Sequence, residues 1–148
     1  MNRTPIKIKK LNANASIPEY GTEFAAGADV RACIDEPLII EPGQTVLIHT
    51  GFSVEIPVGY AGFMFARSGM ASKKGLAPAN KVGVIDSDYR GEVMVALHNH
   101  GNAPRIVEPG DRIAQLVIMP YLACEFLETE ELSGTERGEG GFGSTGVK

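Results

Sequence analysis

The segment "GVIDSDYRGEV", residues 83–93, brings two acids, an aromatic ring and a base together within five positions. Asp86 and Asp88 flank a serine, and Tyr89 and Arg90 follow directly. A carboxylate can accept a proton from water, and a neighbouring ring and cation can contact a ligand, so these residue types could support catalysis. Valine and isoleucine residues on both sides predict strands, which makes the segment typical of a hairpin turn. A solvated hairpin loop explains the same composition.

The segment "RSGMASKKGLA", residues 67–77, is the part of the chain whose composition favours a helix. It contains no β-branched residue, and Ser68 could cap a short helix that ends at Gly75. The backbone N–H groups after Ser68 would then attract an anion, with Arg67 beside them. A capped surface turn without a ligand fits the same spacing.

The segment "RGEGGFGSTG", residues 137–146, differs in kind because it contains five glycines and little that could be buried. We expect it to be mobile in isolation, as an ordinary flexible tail would be. Phe142 has little use in such a tail, but its ring could stack on a ligand while Arg137, Ser144 and Thr145 bind phosphate. No Gly-Lys-Ser/Thr follows, so the segment is not a Walker A loop.

Most of the chain consists of short apolar runs separated by turns, which predicts strands. The runs are "IKIKKL", "PLII", "TVLIHTGFSVEI", "YAGFMFA", "EVMVALHN", "RIVE" and "RIAQLVIMPYLACEFL". Two Glu-Pro-Gly sequences, at 41–43 and 108–110, predict type II turns in two similar hairpins. We expect an all-β fold, a distorted jelly roll or double-sheet β-barrel, with one short helix near residues 69–75. Residues 1–136 would form one domain and residues 137–148 a flexible tail.

Composition narrows the classes of function. A chain of 148 residues with 43% hydrophobic and 22% charged residues is typical of one globular domain. The net charge of −4 argues against nucleic-acid binding as the main function. Cys33 and Cys124 have no disulfide or metal spacing and are interpreted as buried thiols of a reducing compartment. Since no signal peptide or membrane-spanning run is found, we expect a cytoplasmic protein without a membrane partner.

Five segments resemble, in order and spacing, the five motifs of trimeric dUTPase, deoxyuridine 5′-triphosphate nucleotidohydrolase. They are "AAGADVRA" (25–32), "ARSGMA" (66–71), "GVIDSDYRGEV" (83–93), "GDRIAQLVI" (110–118) and "RGEGGFGSTG" (137–146). The resemblance implies a jelly-roll subunit and a homotrimer whose three active sites are each built from all three chains. It implies hydrolysis of dUTP to dUMP and pyrophosphate with Mg²⁺ on the triphosphate. That reaction removes dUTP and supplies dUMP for thymidylate synthesis.

For the reacting centre and the nucleoside, the resemblance assigns roles to residues of the third motif and its neighbours. Asp86 would orient and deprotonate the water that attacks the α-phosphate in line. Tyr89 would pack beneath the sugar and leave no room for a 2′-hydroxyl. The residues implied to line the uracil pocket are Asn80, Val84, Ile85 and Met94. Asp88 is expected to brace the turn by pairing with a neighbouring base.

For the triphosphate, the resemblance implies a grip formed by residues of the second and fourth motifs. These residues are Arg67, Ser68, Gly69 and Gln115. Asp29 would act on Mg²⁺ through a water, and Arg112 would hold a subunit contact or the tail. The tail would close over the active site, with Phe142 stacked on uracil. Its other substrate contacts would come from Arg137, Gly143 and Ser144.

Three alternative functions fit parts of the sequence. A dCTP deaminase shares the fold and trimer but commonly uses a glutamate to activate water at the base, and ammonia released from dCTP would identify it. A nucleotide-binding regulatory protein could sense dUTP without hydrolysing it, and the absence of pyrophosphate release would identify that class. A purely structural capsid-type jelly roll would do neither. The aspartates and the glycine-rich tail favour the hydrolase.

Overall fold

The computed structural model describes residues 3–141, which form short β-strands and one five-residue helix. The strands are β1 (Lys7–Lys10), β2 (Glu19–Tyr20), β3 (Ala28–Arg31), β4 (Leu38–Ile40), β5 (Thr45–His49), β6 (Phe52–Glu55), β7 (Tyr60–Phe65), β8 (Leu76–Pro78), β9 (Val82–Ile85), β10 (Met94–Asn99), β11 (Arg105–Val107) and β12 (Arg112–Pro120). The helix, Met70–Lys74, lies between β7 and β8. The prediction of an all-β fold with one short helix in this region is confirmed.

Antiparallel pairing joins the strands into four sheets within the described residues. The largest sheet has the order β2-β3-β12-β7-β9, and a three-stranded sheet has the order β5-β10-β8. The strand pairs β1-β6 and β4-β11 complete the set. Apart from β2 and β3, the paired strands are not consecutive in the chain, which is typical of Greek-key and jelly-roll connections. The functional residues therefore lie on strands that meet only through long-range pairing.

The two Glu-Pro-Gly sequences form the predicted type II turns. The N–H of Gln44 donates to the carbonyl of Glu41 at 3.0 Å, and that of Asp111 donates to the carbonyl of Glu108 at 3.1 Å. The central glycines have φ of 77° and 81°, a region in which a side chain is strained. The strands that precede the two turns, β4 and β11, pair with each other. The second turn leads directly into β12, so it fixes where that strand begins.

The core lies between the sheets and is filled by alternate residues of the strands. Along β10, Val95, Leu97 and Asn99 are buried while the residues between them are more exposed. Asn99 is polar, but its amide donates to the carbonyls of Ile40 at 2.8 Å and Ala103 at 2.9 Å. Its side-chain oxygen accepts the N–H of Gly101 at 3.0 Å. Burial of this residue is therefore compensated by hydrogen bonds.

The short helix differs from the prediction at its N-terminus. Gly69 occupies the cap position and no side chain caps the helix, so the prediction that Ser68 does so is wrong. The carbonyl of Ser68 instead accepts a hydrogen bond from the hydroxyl of Ser72. The predicted end at Gly75 is confirmed, since this residue has φ of 69°. No helix in residues 3–141 has the length and apolarity that crossing a membrane requires.

The predicted hairpin at residues 83–93 is not a hairpin in the structure. The strand before it, β9, pairs with β7, whereas the strand after it, β10, pairs with β5 and β8. The segment therefore crosses from the five-stranded sheet to the three-stranded sheet. Both flanks were recognised as strands, but strand partners are set by long-range packing that a local pattern does not record.

The last strand is shorter than the predicted run, which extends to residue 127. Strand β12 ends at Pro120, and the following residues have no strand partner in the described chain. Proline cannot donate to a sheet ladder, which favours a strand end there. Four large apolar side chains beyond it are mostly in solvent: Leu122 85%, Phe126 95%, Leu127 77% and Leu132 88% exposed. Cys124 on this stretch is also exposed, so the prediction of a buried thiol is wrong for it.

Candidate active site

A polar cavity of about 610 Å³ opens beside the short helix and the end of β7. Its lining includes the four residues predicted to grip phosphate: Arg67, Ser68, Gly69 and Gln115. Asp29 and Arg112 lie in the same lining. The fold thus brings together six residues that come from three separate motifs.

Asp29 holds two arginines of this cavity in place. Its Oδ1 accepts a hydrogen bond from Arg67 Nε at 2.7 Å, and its Oδ2 accepts one from Arg112 Nη1 at 3.1 Å. Asp29 and Arg67 are only 18% and 25% exposed, so water screens this pair weakly, whereas Arg112 is 48% exposed. Arg67 Nη1 also lies 3.4 Å from the carbonyl oxygen of Arg112. The guanidinium groups are therefore oriented before any ligand is bound.

A β-bulge places Arg112 in the cavity. Arg112 lies opposite Arg31 on β3, but Ala114 lies opposite Val30, so β12 carries one extra residue here. Residues three apart on a regular strand point to opposite faces. Because of the extra residue, Arg112 and Gln115 instead point to the same face of the sheet. The sequence contains no local signal for this bulge.

Gln115 is fixed by contacts on both sides. Its Nε2 donates to the carbonyl of Ala66 at 2.9 Å, which joins β12 to the residue that follows β7. A Cβ at Gly27 would lie 2.5 Å from Gln115 Oε1, so only glycine leaves space for this side chain. Gln115 also lies directly opposite Asp29 across the sheet. The side chain therefore has one well-defined position at the edge of the cavity.

Two further charged residues of the cavity were not predicted. Lys74 and Asp111 both belong to the lining. Lys74 follows Arg67 by seven residues, about two helical turns, so helical spacing could have placed it on the same side. Asp111 Oδ2 accepts the N–H of Glu108 at 3.0 Å and so belongs to the type II turn. Lys74 is the more informative omission because it adds a cation to a lining that already contains Arg67 and Arg112.

Asp86 lies apart from this cavity, on the segment that crosses between the sheets. It is exposed, and its carboxylate has no hydrogen bond or ion pair with any of residues 3–141. Its backbone carbonyl accepts the N–H of Tyr89 at 3.2 Å, which closes a turn. The expected pairing of Asp88 with a neighbouring base is not found within the described chain. Arg90 instead donates to the carbonyls of Ser87 at 2.7 Å and Tyr89 at 3.0 Å.

Tyr89 is held against its own segment. Its hydroxyl donates to the carbonyl of Glu92 at 2.9 Å. A Cβ at Gly91 would overlap that hydroxyl oxygen, so the ring lies across a glycine that leaves room for it. The ring remains 42% exposed. A tyrosine fixed at both its backbone and its hydroxyl presents a flat surface in a defined place.

None of the four residues predicted to line a uracil pocket belongs to the lining of the polar cavity. Val84 and Ile85 belong to β9, and Asn80 lies in the turn before that strand. Val84 is 62% exposed. Met94 begins β10 and is also partly exposed. Asn80, Val84 and Met94 are thus exposed in the single chain, and Ile85 is partly buried.

Of the predicted tail residues, the structure describes Arg137. Its Nε donates to the carbonyl of Gly140 at 2.7 Å, so the side chain folds onto its own segment. It does not line the polar cavity. Phe142, Gly143 and Ser144 lie outside the described residues.

The side chains around Asp29 suit a metal ion that is bound mainly by phosphate oxygens and water. Among residues 3–141, no three His, Cys, Asp or Glu side chains cluster as a metal cage. Mg²⁺ commonly keeps several waters and takes only one or two protein carboxylates when phosphate oxygens are present. Each Asp29 oxygen accepts one arginine hydrogen bond and retains a lone pair for a water. These residues fit an indirect contact to a phosphate-bound cation.

Comparison with known proteins settles the family. A family model described as dUTPase matches residues 13–146. The chain belongs to the dUTPase family. The deoxyuridine 5′-triphosphate nucleotidohydrolase of Desulfitobacterium hafniense (strain DSM 10664 / DCB-2) is 53% identical to it over 150 residues, covering 99% of each chain. The enzyme of the same name from Chlamydia trachomatis serovar L2 is 56% identical over 138 residues, 93% of this chain and 95% of that one.

Solved structures of the family share the fold. The dUTPase of Staphylococcus bacteriophage 80alpha, determined with dUPNHPP, has a TM-score of 0.90 and 32% identity, covering 98% of this chain and 100% of its own. A mutant dUTPase of phage phi11 of S. aureus, which coordinates a structural Mg(II) ion, has a TM-score of 0.78 and 27% identity, covering 86% and 98%. The predicted jelly-roll fold is therefore confirmed.

Proposed function

We propose that this protein hydrolyses dUTP to dUMP and pyrophosphate by in-line attack of a water on the α-phosphate. The observation that carries the proposal is the polar cavity, in which Arg67, Ser68, Gly69 and Gln115 meet in a chain of the dUTPase family. Arginine and backbone N–H groups are suited to binding phosphate oxygens, and hydrolysis of a phosphoanhydride depends mainly on positioning and charge stabilisation. By this reaction the protein would remove dUTP and supply dUMP for thymidylate synthesis, in the cytoplasm.

In this proposal Asp86 orients the attacking water and accepts its proton. Its carboxylate is exposed and makes no hydrogen bond within the described chain, so its oxygens are accessible to water. Tyr89 lies on the same segment and would support the deoxyribose, leaving no room for a 2′-hydroxyl. Asn80, Val84, Ile85 and Met94 would line the uracil site. A thymine methyl would meet the backbone there, and cytosine would place its amino group against another donor.

We further propose that the active protein is a homotrimer with active sites shared between chains. The polar cavity and Asp86 lie at separate places in one chain, so a single chain does not bring the attacking group to the phosphates. The stretch after β12 carries Leu122 and Phe126 in solvent, which suits burial against another copy. Closed rotational symmetry would bring the cavity of one chain to the Asp86 segment of the next.

Mg²⁺ would bind chiefly to the triphosphate and offset its negative charge. Asp29 would contact it through a water while still holding Arg67 and Arg112. The domain would span residues 1–136, and residues 137–148 would form a flexible tail that closes over the site. Phe142 would stack on uracil, and Arg137 and Ser144 would reach the phosphates. Gly143, between Phe142 and Ser144, would let the backbone approach the substrate closely.

The direct test is to mix purified protein with dUTP and Mg²⁺ and measure pyrophosphate and dUMP. Stoichiometric release of both is expected. Ammonia from dCTP would instead identify a deaminase, and tight binding of dUTP without products would identify a nucleotide sensor.

Shared sites can be tested by mixing two inactive variants. Asp86→Asn and Arg67→Ala each remove one half of every site. If the halves come from different chains, exchange of subunits restores part of the activity because some sites then receive both wild-type residues. Mixtures that stay inactive after subunit exchange, which labelled chains can verify, would contradict shared sites.

The tail is tested by deleting residues 137–148, with deletion of residues 147–148 as the matched control. The longer deletion is expected to leave assembly and thermal stability unchanged and to abolish most of the turnover. The control deletion should be fully active. Full activity of the longer deletion would show that the tail does not close the site.

A further inference from the structure

The segment that carries Asp86 and Tyr89 is tied to the neighbouring sheet through one carboxylate. Glu92 Oε2 accepts a hydrogen bond from His49 Nδ1 at 2.9 Å, and Oε1 accepts the N–H of Gly51 at 2.8 Å. Both partners lie where β5 turns into β6. The Glu92 side chain is 22% exposed, although His49 is 58% exposed. Glu92 thus connects the crossing segment to a rigid sheet edge.

The electrostatics of this carboxylate agree with its geometry. Partial burial acts to raise the pKa of Glu92, but hydrogen bonds from His49 and from the Gly51 N–H outweigh it and the net pKa is lowered. The charged form is therefore the one that this environment stabilises. Gly51 is itself fixed, since it has φ of 72° and a Cβ there would lie 2.7 Å from Cys33 Sγ.

The backbone of the same residue holds the tyrosine. The carbonyl of Glu92 accepts the hydroxyl of Tyr89 at 2.9 Å. The next residue, Val93, donates its N–H to the carbonyl of Phe52 at 2.9 Å and accepts the buried hydroxyl of Thr50. The side chain of Glu92 is therefore bonded to the sheet edge, while its backbone carbonyl binds the hydroxyl of Tyr89.

We propose that Glu92 is a positioning residue that fixes the Tyr89 ring and thereby sets the preference for a deoxyribose over a ribose. The inference deepens the proposed function and depends on it for the identity of the substrate. Residues 86–93 cross between sheets without a strand ladder, so their position depends on a few such hydrogen bonds. A ring that can shift by a fraction of an ångström no longer excludes a hydroxyl, because steric exclusion depends on rigid contact.

The test compares Glu92→Ala, Glu92→Gln and the control Glu55→Ala. Glu55 also pairs with a cation, Lys7 at 2.8 Å, but its exposed side chain makes no hydrogen bond or ion pair with residues 86–93. In Glu92→Ala the ratio of kcat/KM for dUTP over UTP should fall about 10-fold, the factor that one positioning hydrogen bond contributes. Glutamine keeps an acceptor for Gly51 and a contact to His49, so it should restore most of the ratio. The control should keep the wild-type ratio.

Tyr89→Phe tests the positioning of the same ring independently, should Glu92→Ala not fold. It removes the hydroxyl anchor and leaves the ring, and we expect a similar fall in the dUTP/UTP ratio. The double variant should lose no more than the larger single change, since both act through one ring. An unchanged ratio in Tyr89→Phe, or losses that multiply in the double variant, would overturn the proposal.

Equilibrium binding of dUMP and UMP tests the role of Glu92 without requiring that the protein hydrolyses dUTP. Glu92→Ala should lower the affinity for dUMP relative to UMP even if no hydrolysis occurs. Loss of thermal stability with an unchanged dUMP/UMP ratio would show that Glu92 is only structural. Absence of dUTP hydrolysis in the wild-type protein, with the binding ratio altered as expected, would instead refute the proposed reaction alone.

Discussion

The polar cavity and the Asp86 segment represent two opposite ways of building part of a site. In the cavity, Asp29 holds Arg67 and Arg112, and Gln115 is bonded to the backbone, so these four side chains already have partners within the chain. On the other segment, the Asp86 carboxylate is exposed and has no partner among residues 3–141. The first region is organised before ligand binds, and the second is open.

The difference follows from what each region is proposed to do. Binding a triphosphate is most effective when the cations do not have to be ordered by the ligand, because the cost of ordering is already met by the fold. A group that must accept a proton from water cannot be occupied by an arginine. Variants should therefore affect the two regions differently, in binding for the cavity and in turnover for Asp86.

The largest effect is expected for Asp86→Asn. Asparagine is close to isosteric but cannot accept the proton, so kcat should fall by about 10²- to 10⁴-fold while KM changes little. Single-turnover kinetics with dUTP and direct binding of dUpNHpp would measure the two quantities separately. Asp88→Asn is the matched control, since that acid is also exposed on the same turn.

Two results would contradict this division. Near-wild-type kcat in Asp86→Asn would remove Asp86 from the catalytic role. A loss of dUpNHpp affinity as large as the loss of kcat would show that Asp86 serves binding, so that the two regions would not differ in function.

A smaller effect is expected for Asp29→Ala, which breaks the organisation of the cavity. Arg67 and Arg112 would both lose their oriented partner, and displacement of a positioning group by about 1 Å can cost roughly 100-fold in rate. We expect kcat/KM for dUTP to fall by about this factor. Binding of inorganic tripolyphosphate without Mg²⁺ should weaken as well, which separates the arginine contacts from any contact to the cation.

Asp35→Ala is the control for this change, because Asp35 is exposed and does not line the cavity. It should leave both measurements unchanged. If Asp29→Ala bound tripolyphosphate as the wild type does, and lost activity only in the presence of Mg²⁺, the carboxylate would act on the cation rather than on the arginines.

The same two regions differ in how well they could be predicted from sequence. Arg67, Ser68 and Gly69 are adjacent in one motif, so any fold that exposes it places them together. Their meeting with Asp29 and Gln115 requires the pairing of β3, β12 and β7, which motif order implies only through the family resemblance. The all-β fold itself follows from short apolar runs and Pro-Gly turns, which are local signals.

Other features depend on contacts that no local pattern records. The bulge between Arg112 and Ala114 reverses the side on which Arg112 points, and no glycine or proline marks it. The segment at 83–93 has the composition of a hairpin, yet its flanking strands pair with different sheets. The hydrogen bonds of Glu92 with His49 and Gly51 depend on that crossing and could not be foreseen without it.

Tyr89→Ala should have an intermediate effect that is specific for the sugar. Removing the ring opens space for a 2′-hydroxyl, so the ratio of kcat/KM for dUTP over UTP should fall at least about 10-fold, as expected for one steric contact. Competition assays with both nucleotides would measure it directly. Tyr60→Ala is a suitable control, since that tyrosine is similarly exposed and lies on β7. An unchanged ratio would refute the role of Tyr89.

The smallest effect is expected for Lys74→Ala, with Lys73→Ala as its control. Both lysines lie in the helix Met70–Lys74, but only Lys74 lines the cavity. One unit charge about 4 Å away in water contributes roughly 1 kcal/mol, so affinity for inorganic tripolyphosphate should fall by about 5-fold. Near 1 M salt the difference between the two variants should vanish, because the Debye length is then about 3 Å. Equal losses in both variants would mean that the helix acts through its overall charge, and the cavity would then lack a third specific cation.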